Sequence, residues 1–306
     1  RAGEAVTYKM ERNTTGAFDF DVICDENSEL LITFDEILND HGQINFRRMY
    51  TNNVIMWRIP KGRHHLSSFE PYVLQYMTVY VLKGKAFVSN LGLRYFGANK
   101  TERRYNGNDE THQRIFDAAV ETYRQNTFTI YMDCPSRERA GWLCDSFFTS
   151  RVEKVLTGKS EIERVFLENF FLPDLFETLP EGMFAMCYPG DPHENNKFIP
   201  QWDLWYVLEV CEYLTKRRPD MDKEIFRPTV EGVLNFFARH ENADGLLEKL
   251  PSWNFVEWSA ANTWVQDVNY PTNFLYSAVL DAVYELYGDE KYRIKAEKVR
   301  QKATEL

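Results

Sequence analysis

Asn106-Gly107-Asn108, followed by Asp109-Glu110-Thr111-His112-Gln113-Arg114-Ile115-Phe116-Asp117-Ala118-Ala119-Val120-Glu121-Thr122-Tyr123, is where the hydrophobic period of the chain changes. Ile115, Phe116, Ala119, Val120 and Tyr123 recur at spacings of three and four, which predicts one face of a helix ending near Asn126. Upstream the pattern is β. Ala17 to Ile23 alternates apolar and polar residues, and Leu30–Phe34, Asn53–Ile59 and Val73–Val81 are short runs rich in β-branched and aromatic side chains. His41-Gly42 and Pro60-Lys61-Gly62 punctuate them at roughly the 8–12-residue spacing of a sandwich. Downstream, helical periodicity recurs over 142–157, 160–171, 200–217, 222–240, 271–287 and 289–303. Loops such as Tyr188-Pro189-Gly190-Asp191-Pro192 separate several of these segments. The expectation is an antiparallel β-sandwich over 1–105 followed by an all-α domain over 106–306. Successive helices joined in this way suggest hairpins stacked around an axis, with an irregular bundle as the alternative.

The chain has 306 residues, of which 44% are hydrophobic, enough to build a sizeable core. A formal net charge of −10 argues against a general nucleic-acid binder, whose footprint is basic. No stretch approaches the ~20 apolar residues that span a bilayer, so no membrane association is expected. The cysteines, Cys24, Cys134, Cys144, Cys187 and Cys211, are odd in number and lack CxxC spacing, so free thiols are expected. The six histidines have no ligand-spaced partners; His64-His65 reads as a polar turn and His112 as helix surface. Neither a metal site nor a cofactor is expected, and GxGxxG, Walker A and GxSxG patterns are missing. The chain begins at Arg1 rather than Met, which reads as a processed or trimmed product. The lack of a leader therefore leaves periplasmic, extracellular and cytoplasmic locations open.

The densest polar cluster is Met132-Asp133-Cys134-Pro135-Ser136-Arg137-Glu138-Arg139-Ala140-Gly141-Trp142-Leu143-Cys144-Asp145. Pro135 keeps Cys134 out of a helix, so Asp133 to Gly141 reads as a loop feeding a new helix. On that helix Trp142 and Asp145 share a face. Arginines lower the pKa of a neighbouring carboxyl and an apolar wall raises it, so the cluster could divide two carboxylates into acid and non-acid roles. A solvated connection with arginine–carboxylate pairs is the plainer alternative. Two aromatic segments add to the cluster: Phe198 to Tyr206, with Trp202, Asp203 and Trp205, and Trp253 to Trp258, followed by Trp264. Indoles stack on sugar C–H faces and carboxylates bind hydroxyls, although tryptophan also fills cores and Asp203 could simply favour a helix N-terminus.

Asp133-Cys134-Pro135-Ser136-Arg137-Glu138-Arg139-Ala140-Gly141-Trp142, continued to Asp145, resembles the DCPxRERxGW signature of the α-L-rhamnosidases of glycoside hydrolase family 78. Phe69-Glu70-Pro71-Tyr72 to Val81 is similar to a segment of that family's sandwich. Trp202-Asp203 resembles its W-G-D element without the Gly, and Phe255-Val256-Glu257-Trp258 its F-G-D-W element. The resemblance implies an (α/α)6 catalytic barrel and release of terminal α-L-rhamnose from glycosides or polysaccharides with inversion. It implies Glu138 as general acid, and Asp133, Arg137, Trp142, Asp145, Trp202, Asp203, Glu257 and Trp258 as substrate contacts. Glu138 needs a raised pKa for that role, so Arg137 is expected on sugar hydroxyls or Asp133, and Arg139 turned outward. Ser136, Leu143-Cys144 and Glu257 depart from the pattern, which leaves room for another deoxysugar or a uronide, or for a non-catalytic carbohydrate-binding relative. Seven helices fall short of twelve, and nothing after Trp142 matches the family's water-activating glutamate. The barrel is therefore expected to be incomplete in this chain. A longer polypeptide or a partner is expected to supply its remaining half.

Overall fold

A computed structural model describes residues 1–95, 97, 101, 103–171, 178–188, 196–265 and 267–305. The predicted loop at Tyr188–Pro192 lies largely outside them. The chain forms two compact units. One comprises 1–98, 117–128 and 134–139; the other comprises 99–116, 129–133 and 140–306.

The first unit is built on five antiparallel strands in the order β3-β2-β4-β1-β5. These are β1 (Ala5–Cys24), β2 (Ser28–Asp35), β3 (Val54–Ile59), β4 (Gly62–Lys83) and β5 (Ala86–Arg94). β1 and β4 are far longer than the apolar runs that predict them. Their pairing shifts register between Lys9 and Thr14 and again between Ala17 and Asp19, where the ribbon bends. Past the bends, the ends of the sheet share one core. Phe20 on β1 lies 5.2 Å from Trp57 on β3, edge to face, although two strands separate them in the hydrogen-bonded order. Strands lie about 4.8 Å apart, so this contact requires the sheet to double over on itself. Phe18, Val22, Leu30, Ile32, Phe34 and Met77 fill the space between. Among the described residues the strands of this unit form one sheet. β5 was missed because Asn90, Gly92 and alternating small residues dilute its pattern, and His64 and His65 lie within β4 rather than on a turn.

The helices follow the predicted order: α1 (Glu110–Asn126), α2 (Leu143–Thr157), α3 (Glu161–Glu168), α4 (Pro200–Glu212), α5 (Arg227–Ala238), α6 (Tyr270–Tyr287) and α7 (Glu290–Thr304). α1 departs from expectation in its packing. Only Tyr123 of its predicted apolar face is buried, and Ile115 is exposed. α4 runs on into a π-helical turn, Tyr213–Arg217, that turns Arg217 into the interior. Gly158 and Gly288 adopt left-handed conformations that end α2 and α6. No helix of the described residues is long and apolar enough to cross a membrane.

A two-residue ladder, β6 (Gly141–Trp142) with β7 (Cys187–Tyr188), sets the start of α2, and Leu143 N–H donates to Met186 O at 3.1 Å. A Cβ on Gly141 would stand 2.8 Å from Tyr188 O and 3.0 Å from the Phe166 ring. This position is therefore closed to every other residue without local movement. Gly141→Ala should cost about 1–3 kcal/mol, the range for overpacking. Urea unfolding with the midpoint unchanged would show that the ladder yields more easily than its spacing implies.

Candidate active site

The segment Cys134–Arg139 packs with the sheet unit. Arg139 N–H donates to Cys134 O at 3.2 Å, closing the turn, and Arg139 itself is left-handed, with φ 53°. The Arg137 guanidinium donates to the Glu138 carboxylate, both partly exposed. That corrects the expectation of Arg137 on Asp133. Arg139 does not turn to solvent either. It contacts Glu70 Oε2 at 3.0 Å, donates to Pro71 O at 3.4 Å and lies 4.9 Å over the Tyr72 ring.

Asp133 belongs to the helical unit, where it exchanges two bonds with Ala140. Its N–H donates to Ala140 O at 3.0 Å and its Oδ1 accepts Ala140 N–H at 3.2 Å. Its carboxylate thus clamps the base of the 134–139 turn. Trp142 precedes α2, and Asp145 sits half-buried in the first turn of that helix. Trp142 meets Trp202 edge to face at 5.2 Å, Trp202 meets Phe255 at 5.8 Å, and Phe255 meets Trp258 at 4.8 Å. These rings form a continuous aromatic arc within the helical unit, and Trp258 at its end is 84% exposed.

Trp202 and Phe255 also line a cavity of about 280 Å³ with Cys144, Phe148, Gln201 and Trp205, to which Val256, Pro271, Thr272 and Leu275 contribute as well. Its one amide, Gln201, is already engaged. Gln201 Nε2 donates to Asn254 Oδ1 at 2.9 Å and Thr272 Oγ1 at 3.2 Å, and Gln201 Oε1 accepts Phe255 N–H at 3.1 Å. The Cys144 thiol is pushed up to about 12, mainly by burial, so it stays a neutral wall at physiological pH. A group entering here meets mostly carbon. Gln201 and Thr272 escape the sequence reading, and Cys144 enters it only as a departure from the family pattern, because an amide, a hydroxyl and a thiol carry no signature without their fold. The only available signal was helical: Gln201 and Trp205 stand four apart, on the Trp202 side of α4.

Two predicted contacts lie elsewhere. About 100° per residue along α4 turns Asp203 away from the cavity and into the interior with Tyr206, Val207 and Val210. Asp203 is fully buried; Oδ1 accepts Phe184 N–H at 2.8 Å and Oδ2 has no partner. Burial holds its pKa well above the carboxylate range, so the proton stays on. Glu257 is exposed, with its carboxylate accepting from Ser259 N–H at 2.6 Å and Ser259 Oγ at 2.5 Å. Those bonds hold it ionised, below its ordinary pKa.

The helical unit carries a second buried acidic group. Glu153 on α2 reaches the start of α3, its Oε1 and Oε2 accepting Ile162 and Glu163 N–H at 3.1 Å each, and it also takes the Tyr131 hydroxyl. Glu163 pairs with Arg217 through Nε at 2.7 Å and Nη2 at 2.6 Å. Glu209 is fully buried, and neither carboxyl oxygen has a hydrogen-bond partner. Burial, reinforced by Glu163, raises its pKa well above the usual value. Burial also raises Glu163, to about 7, against the pull of Arg217.

Edge-to-face aromatic rings on one side of α4 and buried carboxyls on the other are what the helices of this unit bring together. The particular family follows from comparison: the model of the bacterial α-L-rhamnosidase six-hairpin glycosidase domain matches residues 103–291, more than half the chain. The chain belongs to that family. Its fold is similar to that of a family 78 rhamnosidase from Bacillus sp. GL1 (18% identity, TM-score 0.78), over 97% of this chain and 31% of that one. It is similar also to a Klebsiella oxytoca rhamnosidase solved with rhamnose bound (15% identity, TM-score 0.74), over 98% and 62% of the respective chains. An α-L-rhamnosidase from Streptomyces avermitilis, in complex with L-rhamnose, matches at 14% identity and TM-score 0.61, over 98% and 29%. The chain thus spans about a third to two thirds of the length of these proteins. Among curated protein sequences none matches.

The buried acids make a pH prediction. Below the ordinary pKa, about 4.5 for Glu209, both folded and unfolded states hold the proton. Above it the unfolded chain releases a proton that the folded one keeps, so stability falls as pH rises from there toward the raised folded value. Urea unfolding should therefore give a lower midpoint at pH 8 than at pH 5, and Glu209→Gln should flatten that difference. A parent protein equally stable at both values would mean that Glu209 titrates normally.

Proposed function

We propose that the chain forms the acid-bearing part of an inverting glycosidase that releases terminal α-L-rhamnose from glycosides or polysaccharides. On this reading a β-sandwich over 1–105 precedes an (α/α)6 barrel that begins at 106. The observation that carries it is the Trp142–Trp202–Phe255 arc on a carbon-lined cavity, in a chain whose 133–145 segment holds the family's signature. Rings of this kind stack on sugar C–H faces, and a mostly carbon wall suits the methyl of a 6-deoxysugar better than a hydroxymethyl group. Asp133, Arg137, Asp145 and Trp258 complete the proposed contacts. Asp203, bonded inward, is left with a supporting role behind Trp202.

Inversion needs a protonated carboxyl on the leaving oxygen and a carboxylate that activates water on the opposite face, roughly 6.5–9.5 Å away. Glu138 takes the first role, exchanging Arg137 for the glycosidic oxygen when substrate enters. The proton moves from Glu138 to the leaving oxygen as the anomeric C–O bond breaks, while water attacks from the other side. A second reading, a carbohydrate-binding relative without turnover, is favoured by the Arg137–Glu138 pair, which occupies the carboxylate.

Glu138→Gln should lower kcat on unactivated aryl α-L-rhamnosides by roughly 10²–10⁴-fold and spare dinitrophenyl glycosides, whose leaving group needs no proton. Equal losses on both substrates would remove Glu138 from the acid role, and rhamnose binding without release would favour the second reading. Trp202→Ala should weaken rhamnose binding by about 1–3 kcal/mol, as for stacking on other planar rings, measured by calorimetry.

A further inference from the structure

We infer that Arg139, held by Glu70 and Tyr72 of the sheet unit, positions Glu138, so that the sheet takes part in setting the proposed acid. This rests on the assignment of Glu138 above. Arg139 is left-handed, a conformation that any residue with a Cβ adopts at a cost and that persists when neighbouring contacts over-determine it. Here they do. Its backbone closes the turn onto Cys134 O, and its guanidinium is gripped on three sides by one short stretch of β4. Glu70 supplies a carboxylate at 3.0 Å, Pro71 a carbonyl at 3.4 Å and Tyr72 a ring face at 4.9 Å.

The grip is rooted in the core. The Tyr72 ring packs edge to face on Phe34 at 5.0 Å and against Phe18 at 6.0 Å, so it cannot follow a moving arginine. Glu138 is covalently next to Arg139 and is itself exposed, held by Arg137 on a mobile-length side chain. Fixing the backbone on one side of Glu138 narrows the positions its carboxyl can reach, and misplacement of a reacting group by about 1 Å can cost 10²-fold in rate. Glu70 is half-exposed, so its ion pair alone is weak. The fork, the carbonyl and the ring act together.

The test compares Arg139→Ala, Tyr72→Ala and Tyr72→Phe in the full chain. Hydrogen exchange across 134–140 should quicken at least about tenfold in both alanine variants, with α6 unchanged, and Tyr72→Phe, which keeps the ring and loses only the hydroxyl bonded with Arg139, should quicken it less than Tyr72→Ala. Where the parent turns over aryl rhamnosides, the alanine variants should lose about 10–10²-fold on unactivated leaving groups and little on dinitrophenyl glycosides. Unchanged exchange in Arg139→Ala, or equal losses on both leaving groups, would overturn the positioning role. The Glu138→Gln leaving-group profile is read separately. Its failure would remove the acid assignment while the exchange result still judged the clamp.

Discussion

Desolvated carboxyl groups are the constraint on which the helical unit depends. Glu153, Glu163, Asp203 and Glu209 all sit in its interior with Arg217 as their buried cation. An isolated carboxylate there would cost several kcal/mol, so each must be bonded, paired or protonated. Glu153 spends its oxygens on the N-terminus of α3, where unpaired N–H groups and the helix dipole favour negative charge. Glu163 takes the fork of Arg217. Asp203 and Glu209 keep their protons. Three different answers to one desolvation problem bind α2, α3 and α4 together, and α2 and α4 carry the indoles of the candidate site.

Much of this organisation was legible in the sequence. Seven helices and the β-to-α switch near residue 105 followed from the period of apolar residues, because burial of one helix face leaves that period in any sequence. Strand lengths were less legible. The halves of β1 and β4 that run beyond their apolar cores are largely exposed, so even the alternation of Val6, Tyr8 and Met10 with polar neighbours leaves no buried run to read. The doubling of the sheet was invisible for another reason: it depends on bulges and on contacts such as Phe20–Trp57 between distant strands.

The sequence motif names the aromatic residues but not the directions in which neighbouring side chains point. Trp142, Trp202 and Trp258 were chosen as sugar-stacking indoles, and they do join one aromatic arc. Asp203 was chosen because it follows Trp202, yet adjacent residues on a helix face different ways. The residue that does line the cavity, Gln201, is also adjacent; what separates the two is a rotation that no motif records. An outward Arg139 follows from the need to keep its charge off Glu138, and only the fold shows a carboxylate, a carbonyl and a ring waiting for it.

A division of labour emerges from these placements. The groups expected to change charge or partner during turnover, Arg137 and Glu138, are exposed and make their pair with each other. The groups that must stay put are fixed by backbone donors or by core rings: Asp133 by Ala140, Asp203 by Phe184, Arg139 by Pro71 and Tyr72. Backbone amides and packed rings reorganise little when a ligand arrives, whereas an exposed ion pair can be exchanged at small cost. In the role proposed for it, Glu138 is therefore better left with an exchangeable arginine on an anchored turn than buried, which is where the chain puts Glu153, Glu163, Asp203 and Glu209.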